Sequence, residues 1–290
     1  MNEAPLQDLI DLLDLRRVER STYRSSVAKR SLPRVFGGQV LAQAILAAGA
    51  TTTSARIPHS VHAHFLRGGD PTGPIDYDVV TVRDGRSFST RRVAARQRER
   101  HLFEATVSFH EPEDGPDHQL ETPGVTGRGV PEALPPLVER LSSFSADLPS
   151  WWTDEHPFDL RFTATPSALA LGDAGPPHQE FWVRAAGQVP DSPLLHAALT
   201  AYVSDLTLLD PALLPHGRSW YGNRIIDGAS LDHAMWFHRD GRIDRWLHCR
   251  QSSPVAANGR CYCTGEFRDV AGQLLSSVAQ EGILRERHRD

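Results

Sequence analysis

The chain has 290 residues, 40% apolar and 23% charged, the balance of a globular protein with room for two modest domains or one large one. A net charge of −5 and a pI near 6.3 lack the basic excess that draws a protein to phosphate backbones, so no nucleic-acid partner is expected. Three cysteines, Cys249, Cys261 and Cys263, are too few and too odd in number for a disulfide framework, which fits a reducing compartment.

The N-terminus has no basic start and no continuous apolar core, so no signal peptide is expected. No stretch approaches the ~20 apolar residues of a membrane span. The last residues, 287–290, carry no peroxisomal tripeptide, and the expected location is the cytoplasm.

Leu6, Leu9, Ile10 and Leu13 recur at helical spacing and predict an amphipathic helix over 5–15. Residues 35–50 open on Gly37 and Gly38 and reach Gly49 near their end. The Ala-rich run between them is apolar on nearly every side, so that helix must be buried all round. Strand patterns follow over 59–66, 76–83, 88–97 and 101–110, with turn residues at 68–71 and 84–85. One buried helix followed by antiparallel strands outlines a sheet wrapped around a helix.

Residues 111–178 change character. They are rich in Pro, Gly and acidic residues, with one helix expected near 131–146 and Trp151 and Trp152 expected as packing anchors. The plan then repeats: a β-like run at 180–184 and a helix over 193–209, with Ser192 as cap and Pro193 at its first position. Pro211 stops that helix, and strands are expected near 230–238, 245–252, 259–268 and 273–284. The division this predicts is 1–112, a connector over 113–178, and 179–290. The segment 97–109 matches 268–280 at an offset of about 171 residues, and 65–67 matches 237–239 at about 172, the signature of an internal duplication.

Against this pattern, polar residues in apolar places carry the functional signal. On the 193–209 helix, Asp205 falls within the arc of Leu194, Ala198, Leu199, Ala201, Tyr202 and Leu206, while His196, Thr200, Ser204 and Thr207 lie outside it. A buried carboxylate costs several kcal/mol unless it is paired or neutralised. It is therefore either a satisfied structural group or a base tuned by burial. Gln280 shares a strand face with Leu274, Val278 and Gly282, and replaces Phe109 of the matching face in the first half. A buried amide needs partners, and a local backbone bond is the alternative to a functional role. Strand alternation puts Ser230 and Asp232 on one face and His233 on the other, so Asp232 is poorly placed to orient His233, which reads as structural.

Other chemistries lack their motifs. Gly85–Ser89 misses the closing glycine of a nucleophile elbow. No phosphate-cradling loop or dinucleotide fingerprint occurs. His62 and His64 share a strand face without a third ligand, and Cys261 and Cys263 have no companion pair, so neither a metal nor a cofactor is expected.

Several blocks in order carry a resemblance over roughly residues 5–286: Arg34–Val40, His59–Asp70, Arg83–Ser89, Ser204–Leu206, Leu231–His238 and Gln280–Gly282. The chain resembles the type II acyl-CoA thioesterases, the TesB-like family. The resemblance implies an α+β double hotdog: two antiparallel sheets, each wrapped around a central helix, fused in one chain. It implies hydrolysis of acyl-CoA to fatty acid and CoA, by water activated by an Asp, a hydroxyl residue and a Gln. These map onto Asp205, Ser230 and Gln280, with Ser230 where bacterial members usually carry Thr. Gly37 and Gly38, and the backbone at Gln280, are candidate oxyanion donors, and Arg67, Arg91 and Arg92 are candidate partners for the phosphates of CoA. A homodimer or homotetramer is the family expectation. Two alternatives stay open: an enoyl-CoA hydratase-like enzyme using Asp232 and His233, and a non-catalytic acyl-CoA-binding protein.

Overall fold

The computed structural model describes residues 3–27, 34–53, 55–120, 131–141, 156–164, 166, 174–220 and 226–286. Helix α1 (Ala4–Leu13) has Pro5 in its first turn, where a missing N–H costs nothing, and turns Leu6, Leu9 and Leu13 inward. Two short strands, β1 (Arg16–Arg17) and β2 (Thr22–Arg24), lead to α2 (Gly37–Gly49). Then come β3 (Ile57–Phe65), β4 (Asp76–Asp84), β5 (Phe88–Gln97) and β6 (Arg100–His110). The described part of the connecting stretch holds a 3₁₀ turn at Pro131–Ala133, a short helix α3 (Leu137–Leu141) and β7 (Phe158–Phe162). The rest of the helix expected near 131–146, and Trp151 and Trp152, lie outside the described residues.

The second half opens with β8 (His178–Ala185) and α4 (Pro193–Thr207), capped by Ser192, whose hydroxyl oxygen accepts from the Leu195 N–H at 3.3 Å. It closes with β9 (Ile226–Ser230), β10 (Asp232–Phe237), β11 (Leu247–Ala257), β12 (Arg260–Arg268) and β13 (Leu274–Glu286).

All strands join one antiparallel sheet in the order β1-β2-β4-β5-β6-β3-β10-β13-β12-β11-β8-β7, with β9 paired to β13. Read outward from the β3–β10 seam, β6, β5 and β4 lie on one side and β13, β12 and β11 on the other. The same order on both sides gives the duplication a structural form. Both halves also carry an irregularity at the same place. The register of β3 on β6 shifts between Pro58 and Ser60. In the second half, β13 pairs Gly282 with Ser230 but Ala279 with Ala234, so one extra residue sits on the β9–β10 side near Leu231.

The two long helices are enclosed by this sheet and pack antiparallel. A Cβ on Gly37 would lie 2.6 Å from Asp205 Oδ2, and one on Gly49 would lie 2.4 Å from Leu194 Cδ2. A side chain at either place would force these neighbouring atoms to shift. Nearly every residue of α2 is buried, as its all-round apolar sequence requires. On α4 even the polar residues outside the apolar arc are enclosed. His196, Thr200, Ser204 and Thr207 are all buried. The hydroxyls make this tolerable by local bonding: Thr200 donates to His196 O and Ser204 to Ala201 O, both at 2.8 Å, and Thr207 to Gln251 Oε1 at 3.1 Å. The stretch Pro193–His216 has the length and hydropathy of a membrane span, contrary to the sequence reading, but 83% of its apolar window is buried inside the protein, so it serves as core.

Candidate active site

Five elements converge at the C-terminal end of α4. Its Asp205 faces the N-terminus of α2, the end of β9, and the inner faces of β10 and β13. The Asp205 side chain is only 3% exposed. Its Oδ1 accepts from Gln280 Nε2 at 2.7 Å and from Ser230 Oγ at 3.1 Å. The Gly38 backbone N–H donates to the same carboxyl group. Burial disfavours the charged form and pushes its pKa up to about 6, against the pull of the Gln280, Ser230 and Gly38 donors. A carboxyl group poised near neutrality, with fixed donors, is equipped to take up and release a proton.

The local sequence explains each placement. Asp205 sits in the last turn of α4, on the side that α2 approaches through Gly37 and Gly38. Gln280 lies on the buried face of β13, as the alternation predicts. Ser230 is the last residue of β9, just before the extra residue near Leu231. Because of that extra residue, β10 resumes in the opposite phase, and both Ser230 and His233 turn inward. Simple alternation had placed them on opposite faces; the bulge corrects this. His233 is fully buried, with Nε2 3.0 Å from Ser204 Oγ and Nδ1 3.9 Å from Asp205 Oδ1. Burial holds its pKa down to about 4, so the ring is neutral and the contact with Asp205 is no ion pair. Asp232 turns away and accepts from the Glu281 N–H at 2.7 Å.

The remaining candidates are dispersed. Gly37 and Gly38 border the carboxyl group. Arg67 follows β3, exposed, and donates to His101 O at 3.1 Å. Arg91 is 2% exposed and bonded to Thr51 and Asp84, beyond the far end of α2 and ~20 Å from Gly37 by helix length. Arg92 is exposed on the opposite face of β5. A cavity of about 500 Å³, lined by Ile57, Pro58, Pro193, His196, Thr200 and Leu275, lies at the N-terminal end of α4 and does not adjoin the carboxylate. Among the described residues, no group of three His, Cys, Asp or Glu converges as a metal site would require.

Known proteins resemble this chain over most of its length. The family profile for acyl-CoA thioesterase matches residues 152–283, and that for the acyl-CoA thioesterase N-terminal domain matches residues 29–110. Acyl-CoA thioesterase 2 of Haemophilus influenzae is 35% identical, covering 97% of this chain and 98% of its own. Human acyl-coenzyme A thioesterase 8 is 32% identical, covering 94% and 88%. Among solved structures, acyl-CoA thioesterase II TesB2 of Mycobacterium marinum superposes with a TM-score of 0.77 at 35% identity over 96% of this chain and 98% of its own. The tesB protein of Mycobacterium avium subs paratuberculosis does so with 0.78 at 32% identity, over 97% and 99%. The two sheet-wrapped helices are a double hotdog, and the chain belongs to the acyl-CoA thioesterase family.

Proposed function

We propose that this protein hydrolyses acyl-CoA thioesters to a free acid and CoA, with Asp205, Ser230 and Gln280 activating a water. The observation that carries the reading is a buried carboxyl group with pKa about 6, gripped by two side-chain donors. Asp205 removes a proton from water as the oxygen attacks the thioester carbonyl. The tetrahedral intermediate expels the thiolate of CoA, and the proton held by Asp205 balances the departing charge. Gln280 and Ser230 fix the carboxylate, so little reorganisation accompanies the reaction. In this reading Ser230 positions the base through its donated hydrogen bond to Asp205 rather than attacking the carbonyl itself.

Gly38 uses its N–H on Asp205, which favours Gly37 and neighbouring backbone for the developing oxyanion. Arg67 and Arg92 keep exposed guanidinium groups for the CoA phosphates, whereas Arg91 is committed to Asp84 and Thr51. The units are residues 1–112 and 179–290, joined by 113–178, and the protein acts in the cytoplasm as a homodimer or homotetramer.

The experiment is free-thiol release from acyl-CoAs of four to sixteen carbons by wild type and Asp205→Asn. Turnover that falls by about 10²-fold or more in the variant is expected. Binding of acyl-CoA without any thiol release by the folded wild type would instead make this a binding protein.

A further inference from the structure

Two buried atoms beside Asp205 lack a hydrogen-bond partner: Gln280 Oε1 and His233 Nδ1. Their residues are 1% and 0% exposed, out of reach of bulk solvent. Leaving one such atom unpaired carries its full desolvation penalty. The two side chains are neighbours, on the paired strands β10 and β13, and the Gln280 side chain is close enough to favour protonation of the His233 ring.

The direction of bonding here is fixed from one end. An ionised carboxylate only accepts, so Gln280 must present Nε2–H to Asp205. Its Oε1 then faces away and needs a donor. A neutral imidazole offers one N–H and one lone pair. With the proton on Nδ1, His233 supplies that donor, and its Nε2 accepts from the Ser204 hydroxyl at 3.0 Å. With the proton on Nε2, the Nδ1 lone pair opposes Oε1. That arrangement would favour a flipped amide whose oxygen meets the carboxylate.

We infer that His233 is a positioning residue: its Nδ1–H donates to Gln280 Oε1 and locks the amide with Nε2 toward Asp205, while Ser204 holds the ring from behind. The chain of bonds runs Ser204 to His233 to Gln280 to Asp205. This deepens the catalytic reading of Asp205 and rests on it. The titratable groups facing Asp205 are His233 from β10 and Tyr202 from its own helix, the latter kept protonated by burial and by the carboxylate itself. Asp232 and Glu281 are engaged elsewhere, with the Glu281 N–H and with Arg260.

The first test is spectroscopic and independent of turnover. Nitrogen-15 correlation spectra of the intact protein report the His233 tautomer, with its signals assigned by their loss in His233→Asn. A neutral ring protonated on Nδ1 from pH 6 to 8 is expected. A ring protonated on Nε2, or a charged ring, overturns the inference even if Asp205→Asn is inactive. The second test is kinetic. His233→Asn keeps a donor near the Nδ1 position, whereas His233→Gln moves its amide to the Nε2 position. The Gln variant should lose about 10²-fold in kcat with KM little changed, as expected when a reacting group is misplaced. Its acid limb should move to higher pH, because Asp205 loses a donor that lowers its pKa. The Asn variant should stay within about tenfold of wild type. Equal losses in both, with the acid limb unmoved, would reduce His233 to a packing role. If the Gln variant fails to fold, the wild-type tautomer decides alone.

Discussion

Phe109 and Gln280 occupy matching places in the two halves. Each lies on the strand next to the seam strand, each faces inward, and they are 0% and 1% exposed. An offset of 172, that of 65–67 on 237–239, sets Val61 of the first half against His233, and Pro58 against Ser230. One half fills these places with apolar groups and builds core. The other fills them with polar groups gathered around Asp205, of which Ser230 and Gln280 bond to its carboxyl group. The strand order and the bulge are common to both, so the site depends on a few side chains set into a duplicated scaffold. Its stability cost is visible in Asp205. A carboxyl group whose folded pKa, about 6, exceeds its unfolded value of 3.8 stabilises the fold fully below 3.8, and that contribution is lost as pH rises through 6. Ionisation above pH 6 therefore costs roughly 2–3 kcal/mol.

The comparison can be broken by exchanging its members. Gln280→Phe makes the second half resemble the first. It should lower kcat by about 10²-fold or more while the protein still folds, read by thiol release and circular dichroism. An active Phe variant would remove Gln280 from the chemistry. The reverse exchange, Phe109→Gln, should destabilise by about 3 kcal/mol in urea unfolding, because it buries an amide without the partners that Gln280 has. Ser230→Ala should lose roughly tenfold in kcat, the worth of one hydrogen bond to a charged group, while Ser230→Thr stays within about threefold. A Thr variant as poor as the Ala variant would mean that the methyl group does not fit. The smallest change is with pH: kcat/KM should fall on acidification through about pH 6 and be flat above pH 7, since the base must be ionised. A flat profile down to pH 5 would remove Asp205 as the base.

Much of this was legible in the sequence, for reasons that differ by residue. Asp205 and Gln280 stand out because burial is periodic and they interrupt the period. Ser230 has no such signal, and only the family blocks around it point to it. His233 was placed on the strand face opposite Ser230 because a bulge inverts strand phase without altering composition. The burial of Thr200 and Ser204 on the polar flank of α4 has no hydropathy signal, because their bonds to helix carbonyls let them enter the core. The short strands β1, β2, β7 and β9 hold two to five residues each, too few for alternation to register. Arg91 looked like a phosphate ligand by residue type alone, and its burial on Asp84 follows from tertiary contacts that composition does not contain.

The β3–β10 seam has a consequence for biosynthesis. Its partners are some 170 residues apart in the chain, as in the pairing of Met235 with Val61. Until β10 leaves the ribosome, β3 offers an unpaired inner edge, and α2 lacks the helix that covers it. Such an edge is a template for any exposed strand nearby, including the β3 of another nascent chain. Closing a contact of that separation is also slow, so the half-made protein passes through an extended interval in which aggregation competes with completion.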